Sequence, residues 1–122
     1  MTDLARTLMT LLLMAQGLEI IGYFWSTSRI QTREDHLATL PVTLLLQALR
    51  LAGVLALYSK SHHTAASFVA TVTLALIMLG TTVGMWKLAH RQYATYRSLR
   101  SAWNWTLIGI VQGALIVLVA VG

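Results

Sequence analysis

Apolar residues occur along this chain in four long stretches, and polar residues are concentrated between them. The stretches cover residues 4–25, 37–58, 65–86 and 103–121. A helix needs roughly 20 apolar residues to cross a hydrocarbon core of about 30 Å, and each stretch reaches that length. The short alternation of apolar and polar positions that is typical of a membrane strand is missing. The pattern therefore predicts an all-α membrane protein with four transmembrane helices in an antiparallel bundle.

Composition extends this prediction to the whole chain. Residues 1–122 are 57% hydrophobic and 11% charged, whereas soluble domains carry about 25% charged residues. Four spans of roughly 20 residues leave no room for a separate soluble domain. We therefore expect a single integral membrane domain. This composition excludes disorder, which requires low hydrophobicity.

The basic residues are distributed unevenly between the two sides of the predicted bundle. The first and third loops carry Arg29, Arg33, Lys87, Arg91, Arg97 and Arg100, while the opposite side carries Arg6 and Lys60. Because cytoplasmic loops are enriched in Lys and Arg, loops one and three are predicted to be cytoplasmic and both termini to lie outside. All four tryptophans, Trp25, Trp86, Trp103 and Trp105, fall at the same predicted interface. The net charge of +5 is thus interpreted as the topology signal of a bacterial inner-membrane protein, not as a nucleic-acid surface.

The third loop has a pattern of its own. Lys87–Trp103 contains neither glycine nor proline, and its polar and apolar side chains separate onto two sides of a helical wheel. This indicates a basic amphipathic cytoplasmic segment, either an interfacial helix or an extension of the third span. Its bases, Lys87, Arg91, Arg97 and Arg100, are predicted to contact anionic lipid headgroups. Docking to a partner protein is the alternative.

Each span also carries a row of small or polar residues at helical spacing, and such rows usually face neighbouring helices. The rows are Gln16, Glu19 and Tyr23 on the first span; Thr43, Gln47 and Arg50 on the second; Thr73, Gly80 and Gly84 on the third; and Thr106, Gly109, Gln112 and Gly113 on the fourth. We expect the four rows to meet in the interior of the bundle.

Two rows contain the motif GxxxG, which lets helix backbones approach closely. The glycines are Gly80 and Gly84 on the third span and Gly109 and Gly113 on the fourth. Both motifs lie near the predicted cytoplasmic interface. They are predicted to pack spans three and four together within one chain, with contact between subunits as the alternative.

Glu19 and Arg50 are the candidate functional residues, because ionisable groups inside spans are rare and usually mark pathways, relays or ion pairs. Counted from the cytoplasmic end at about 1.5 Å per residue, the two lie at similar depths. Left unpaired in lipid, both charges together would cost about 5–7 kcal/mol. We predict a Glu19–Arg50 pair extended by Gln16 and Gln47. Three roles are open to this pair. It could hold spans one and two in register, it could bind a proton or cation, or it could contact a partner subunit.

One short segment resembles a known family. Residues 15–22, Ala-Gln-Gly-Leu-Glu-Ile-Ile-Gly, are similar to the first span of small multidrug resistance transporters, which also have four short spans. The resemblance implies that Glu19 binds protons and cationic drugs in an antiparallel dimer. It covers eight residues, and the other three spans do not follow the family's pattern. Arg50 would repel a cationic drug, and the charge bias opposes dual insertion.

Metal, cofactor and catalytic chemistry are not expected. The chain has no cysteine, which excludes thiol catalysis and cysteine-ligated metals. Its four histidines are not placed opposite one another in mid-span, as a haem with two histidine ligands would require. No Ser–His–Asp set or phosphate-binding glycine loop is present.

Three functions fit these features. The first is a structural or accessory subunit of a larger membrane complex. The second is a homo-oligomeric small transporter or ion channel with an intramembrane polar line at Glu19 and Arg50. The third is the membrane anchor of a quinone- or haem-linked enzyme. The first two imply a hetero-oligomer or a homo-oligomer within the membrane.

Overall fold

Four helices make up most of the protein. The computed structural model describes residues 2–25, 30–31, 33–89, 95–96 and 99–122. The helices are α1 (Asp3–Trp25), α2 (Arg33–Ser59), α3 (Ala65–Ala89) and α4 (Leu99–Val121). Each contains a segment long and apolar enough to span a membrane, which confirms the prediction of four such helices. Every predicted span lies inside one of them.

The second helix begins earlier than its hydropathy suggests. A start near Leu37 or Pro41 is expected, because proline suits a first helical turn. In the structure α2 begins at Arg33, and Pro41 lies inside the helix. Proline has no N–H to donate to the carbonyl one turn earlier, so the bond from residue 41 to residue 37 is missing.

Threonine side chains cap the N-termini of two helices, α1 and α3. The Thr2 hydroxyl accepts a hydrogen bond from the Ala5 amide at 3.1 Å, and the Thr64 hydroxyl accepts one from the Ser67 amide at 3.1 Å. Both satisfy amides that the first helical turn would otherwise leave unpaired. In the loop before α3, His63 has a positive φ of 52°, and its ring stacks on that of Tyr58 with centroids 4.8 Å apart.

A short strand pair joins the two loops on the other side of the bundle. Ile30–Gln31 (β1) and Thr95–Tyr96 (β2) form an antiparallel pair in which Ile30 faces Tyr96 and Gln31 faces Thr95. The prediction of a continuous helix over Lys87–Trp103 is therefore wrong at residues 95–96. β-branched and aromatic residues favour extended backbone where a partner strand is available. The rest of that segment's centre, including Arg91 and Arg97, lies outside the described residues.

The helices pack unequally on one another. The most extensive contacts are those of α1 with α4, α2 with α3, and α3 with α4, while α2 contacts α1 and α4 more sparsely. The core is formed by buried apolar side chains from all four helices: Leu12, Val54, Leu57, Leu74, Met78, Ile116 and Val119. Large apolar side chains also cover the outer surface, including Leu18, Ile21, Leu45, Leu49, Leu76 and Leu107. Such an apolar exterior is unusual for a protein surrounded by water.

The third helix is rotated relative to its predicted orientation. Thr73 and Gly80, expected to face the interior, are exposed. The inward row is instead Ser67, Thr71, Leu74, Met78 and Thr81. Its hydroxyls can be buried because they donate to carbonyls three or four residues earlier in the chain, as Thr71 does to Ser67 at 2.8 Å. A shift of one residue along a helix turns the side chain by about 100°, so this small error in assignment changes the face.

The GxxxG glycines of the fourth helix do not pack against the third helix as predicted, although Gly84 of α3 lies beside Trp105 of α4. A Cβ at Gly109 would lie 2.9 Å from Cγ1 of Ile20, and one at Gly113 would lie 3.8 Å from Cδ2 of Leu13. Both glycines of α4 therefore face α1. A Cβ at Gly80 would meet nothing within 4 Å, and one at Gly84 would lie 3.9 Å from the Trp105 ring. Side chains of α1 approach the α4 backbone most closely at Gly109.

Candidate functional site

The polar residues predicted to pair are brought together in the centre of the protein. Gln16 and Glu19 lie one turn apart on α1, and Gln47 and Arg50 lie one turn apart on α2. Residues at this spacing project from the same side of a helix. The packing of α1 on α2 places the two pairs face to face.

The Arg50 guanidinium donates to four side-chain oxygens. Its Nη1 donates to the Glu19 carboxylate and, at 2.9 Å, to Oε1 of Gln47. Its Nη2 donates to Oε1 of Gln16 and, at 2.7 Å, to Oε1 of Gln112. Each terminal nitrogen of Arg50 therefore has two acceptors, which matches its two N–H groups.

Gln47 carries the network to the third helix. Because its oxygen accepts from Arg50, its amide nitrogen is free to donate in the opposite direction. Nε2 of Gln47 donates to the Thr81 hydroxyl at 2.8 Å and to the Met78 carbonyl at 3.2 Å. The network now reaches all four helices. We call these side chains the Arg50 cluster: Gln16, Glu19, Gln47, Arg50, Thr81 and Gln112.

The cluster is shielded from its surroundings but not sealed. The Arg50 side chain keeps 11% of its surface accessible and that of Glu19 keeps 18%. The three glutamines are more deeply placed, with Gln112 at 1%. The charges of Arg50 and Glu19 cancel, so the cluster is close to neutral overall. In a membrane, one unpaired charge at a helix centre would cost about 2.5–3.5 kcal/mol.

The ion pair is the part of the cluster whose disruption is most costly. Hydrogen bonds between membrane helices contribute about 0.6 kcal/mol each on average. Removing one partner of a buried ion pair costs about 3–5 kcal/mol, because the other charge stays behind. The amide oxygens of three glutamines, Gln16, Gln47 and Gln112, accept the hydrogen bonds that Arg50 does not donate to Glu19. Their main effect is therefore to fix the orientation of the guanidinium.

One amide of the cluster lacks a partner. Nε2 of Gln16 is buried and makes no hydrogen bond to any residue that the structure describes, because the oxygen of the same amide is directed at Arg50. The unpaired nitrogen lies beside α4, 3.0 Å from where a Cβ of Gly109 would be. A glycine at this position thus allows α4 to approach the Gln16 side chain. A buried donor with no acceptor carries a desolvation cost of about 1–3 kcal/mol.

Two members of the cluster were not predicted as site residues. Gln112 belongs to the expected inward row of the fourth span, yet its partner is not deducible from spacing within one helix. Thr81 was missed because the third helix was assigned a different face. The 3–4 spacing of Ser67, Thr71, Leu74, Met78 and Thr81 is the signal that would have found it.

Of the four basic residues predicted to contact lipid headgroups, two lie in parts of the chain that the structure describes. Lys87 is exposed near the end of α3, and Arg100 lies in the first turn of α4. Arg91 and Arg97 are not among the described residues. In the part of the chain that the structure describes, no three His, Cys, Asp or Glu side chains are grouped so as to hold a metal ion.

Comparison with known proteins identifies no relative of this chain. No protein-family model, curated protein or solved structure matches it.

Proposed function

We propose that this protein is a structural or accessory subunit of a larger membrane complex, with no catalytic role of its own. Its four helices form an antiparallel transmembrane bundle in the bacterial inner membrane, with both termini outside. The observation that carries the proposal is the Arg50 cluster. The terminal nitrogens of the part-buried Arg50 donate to acceptors within the chain.

The antiparallel arrangement is supported by contacts between helices. Leu13 lies beside Gly113 while Ile20 lies beside Gly109, so α1 and α4 run in opposite directions at their contact. The Thr64 hydroxyl at the start of α3 donates to the Gly122 carbonyl that follows α4. Membrane insertion is supported by the exposed apolar side chains, which would be solvated favourably by lipid.

A cluster that connects all four helices is suited to holding a rigid shape. The terminal nitrogens of Arg50 and the amide of Gln47 are used within the chain, so the charged centre of the cluster offers little to a transported solute. A bundle fixed in this way presents an invariant outer surface to neighbouring subunits. This favours the subunit over a carrier that must rearrange around a substrate.

Topology can be tested directly because the chain contains no cysteine. Single substitutions Ser61→Cys, between α2 and α3, and Ser98→Cys, before α4, place one thiol on each predicted side. In intact spheroplasts a membrane-impermeant maleimide should label Ser61→Cys and should label Ser98→Cys only after lysis. The reverse labelling would overturn the orientation, and equal labelling of both would overturn fixed insertion.

The subunit proposal is tested by the composition of the native particle. A tagged chain of 13.4 kDa is extracted from its own membranes in a mild detergent and sized by native mass spectrometry. We expect a particle containing different chains in fixed stoichiometry. A particle built only from multiples of this chain would contradict the proposal and support the transporter.

The transporter remains the second candidate because of two observations. Glu19 keeps 18% of its side-chain surface accessible, and Nε2 of Gln16 beside it lacks a partner. Together they leave a polar position where an ion or solute could bind. Proteoliposomes of the unmodified chain and of the double variant Glu19→Gln/Arg50→Leu should show the same proton and potassium flux. A flux present in the first and lost in the second would establish the transporter.

A further inference from the structure

Two contacts fix how α3 and α4 are aligned with each other. A Cβ at Gly84 would lie 3.9 Å from the Trp105 ring, and a Cβ at Gly122 would lie 3.3 Å from Cβ of Ala66. The contacts are 18 residues apart along α3 and 17 residues apart along α4. One antiparallel alignment therefore satisfies both contacts and holds along the whole length of the two helices, which pack extensively on each other.

This alignment places two basic residues at nearly the same depth. Lys87 lies opposite residues 101–102, one or two residues from Arg100 in the first turn of α4. At about 1.5 Å per residue, the two bases differ in depth by about 3 Å or less. By the same alignment Trp86 lies opposite residues 102–103 and is therefore level with Trp103. Two bases and two indole rings are thus gathered where α3 ends and α4 begins.

These residues lie at the depth of lipid headgroups. The apolar segment of α3 starts at Ala65, and from there to Lys87 the helix rises about 33 Å. A hydrocarbon core is about 30 Å thick, so Lys87 falls just beyond its edge. Trp86 is 52% exposed, Trp103 is 55% exposed, and Lys87 is exposed next to Trp86. Exposed indole rings are favoured at this boundary, where the headgroups begin.

The positive charge at this end is not balanced by α3 or α4. Neither helix contains an aspartate or a glutamate, and the acidic residues Glu34 and Asp35 belong to the start of α2. Arg100 lies in the first turn of α4, where the positive end of the helix dipole disfavours a cation. An anion bound between the two bases would offset this cost. At this depth, the anion that a membrane supplies is a phospholipid headgroup.

We propose that the adjoining ends of α3 and α4 bind the phosphate of one anionic phospholipid headgroup. Lys87 and Arg100 supply the positive charge, and the rings of Trp86 and Trp103 flank the lipid at the edge of the hydrocarbon core. The site rests on the proposed insertion of the bundle in a membrane. It narrows the lipid contact predicted for four bases of the third loop to the two bases that the fold places at one depth.

The experiment measures how strongly brominated lipids quench the tryptophan emission. The full chain carries Trp25→Phe and Trp105→Phe, so that the emission comes from Trp86 and Trp103. It is reconstituted in phosphatidylcholine vesicles that contain either dibrominated phosphatidylglycerol or dibrominated phosphatidylcholine. Bromine quenches only the indoles that it contacts, so the comparison reports which lipid lies beside them. Each base favours an anionic lipid by a factor of about five to six, and we expect phosphatidylglycerol to be preferred about thirtyfold. The preference should fall at about 1 M salt.

Two double variants distinguish this site from a general attraction of basic loops to anionic lipid. Lys87→Gln/Arg100→Gln should abolish the preference for phosphatidylglycerol. Arg29→Gln/Arg33→Gln removes the same charge from the other loop on the same predicted side and should keep the preference. Equal loss in the two variants would overturn the proposal, and so would a preference that Lys87→Gln/Arg100→Gln leaves unchanged. The comparison of the two lipids on the chain with all its bases needs neither variant to fold.

The site and the membrane insertion on which it rests can fail separately. Equal quenching by the two lipids would overturn the site while leaving insertion intact, and an acidic partner protein would then be the better occupant of these bases. Quenching by neither lipid would show that the indoles lie outside the bilayer, and insertion itself would fail. The subunit proposal is decided independently, by the composition of the native particle.

Discussion

Nη2 of Arg50 on α2 donates to Oε1 of Gln112 on α4 over 2.7 Å. This bond joins two helices whose backbones contact each other only sparsely. The same guanidinium bonds to α1, and Gln47 beside it bonds to α3. The Arg50 side chain, directly and through Gln47, therefore connects all four helices. Its removal should lower the stability of the whole protein.

Removing the cation alone should be the most damaging change. Arg50→Leu leaves the Glu19 carboxylate without its counter-charge, and the expected loss is about 3–5 kcal/mol of unfolding free energy. The double variant Glu19→Gln/Arg50→Leu should recover much of this loss, because no charge remains. Unfolding in dodecylmaltoside, followed by circular dichroism, measures both.

Lys60→Gln is the control for that comparison, since Lys60 is exposed and should change stability by no more than about 0.5 kcal/mol. If the double variant is as unstable as Arg50→Leu, the ion pair is not the source of the stability.

Gly109 and Gly113 should respond differently to the same substitution. Gly109→Ala places a Cβ 2.9–3.1 Å from Ile20 and 3.0 Å from Gln16, so these side chains must move or α1 must shift. We expect a loss of about 1–3 kcal/mol. Gly113→Ala puts its Cβ in ordinary contact with Leu13 at 3.8 Å and should be neutral or stabilising, by up to about 1 kcal/mol. Equal effects in a thermal melt would show that α1 and α4 do not approach at Gly109.

Thr81→Val tests the connection to α3. The substitution removes the hydroxyl that accepts from Gln47 at 2.8 Å, while the Met78 carbonyl remains as a weaker acceptor at 3.2 Å. The expected loss is about 0.6–1.7 kcal/mol. Thr73→Val, on the exposed side of the same helix, is the matched control. A larger effect at Thr73 than at Thr81 in chemical unfolding would mean that α3 presents the opposite face.

Thr64 should stabilise the start of α3 and its contact with the end of α4. Its hydroxyl accepts from the Ser67 amide and donates to the Gly122 carbonyl. Thr64→Val removes both bonds, and we expect a loss of about 0.5–2 kcal/mol. Hydrogen exchange should rise at residues 65–68 but not in α2. Ser59→Ala, which removes an exposed hydroxyl bonded to the Ala56 carbonyl, should leave exchange in α3 unchanged.

Sequence alone determined the number of long apolar helices and the positions of their apolar segments, but not the residue at which α2 begins. Each depends on the local excess of apolar residues, and the excess is large in all four stretches. The meeting of Glu19 with Arg50 was also predictable, because axial depth follows from the rise per residue and because isolated charges are costly in lipid.

The tertiary structure alone decided how each helix is turned about its axis. A helix that is apolar on every side has several faces of similar hydrophobicity, so small local differences do not select one. Packing of side chains from neighbouring helices makes that choice. It placed Thr81 inward and Gly80 outward, directed Gly109 to α1 instead of α3, and added Gln112 to the acceptors of Arg50.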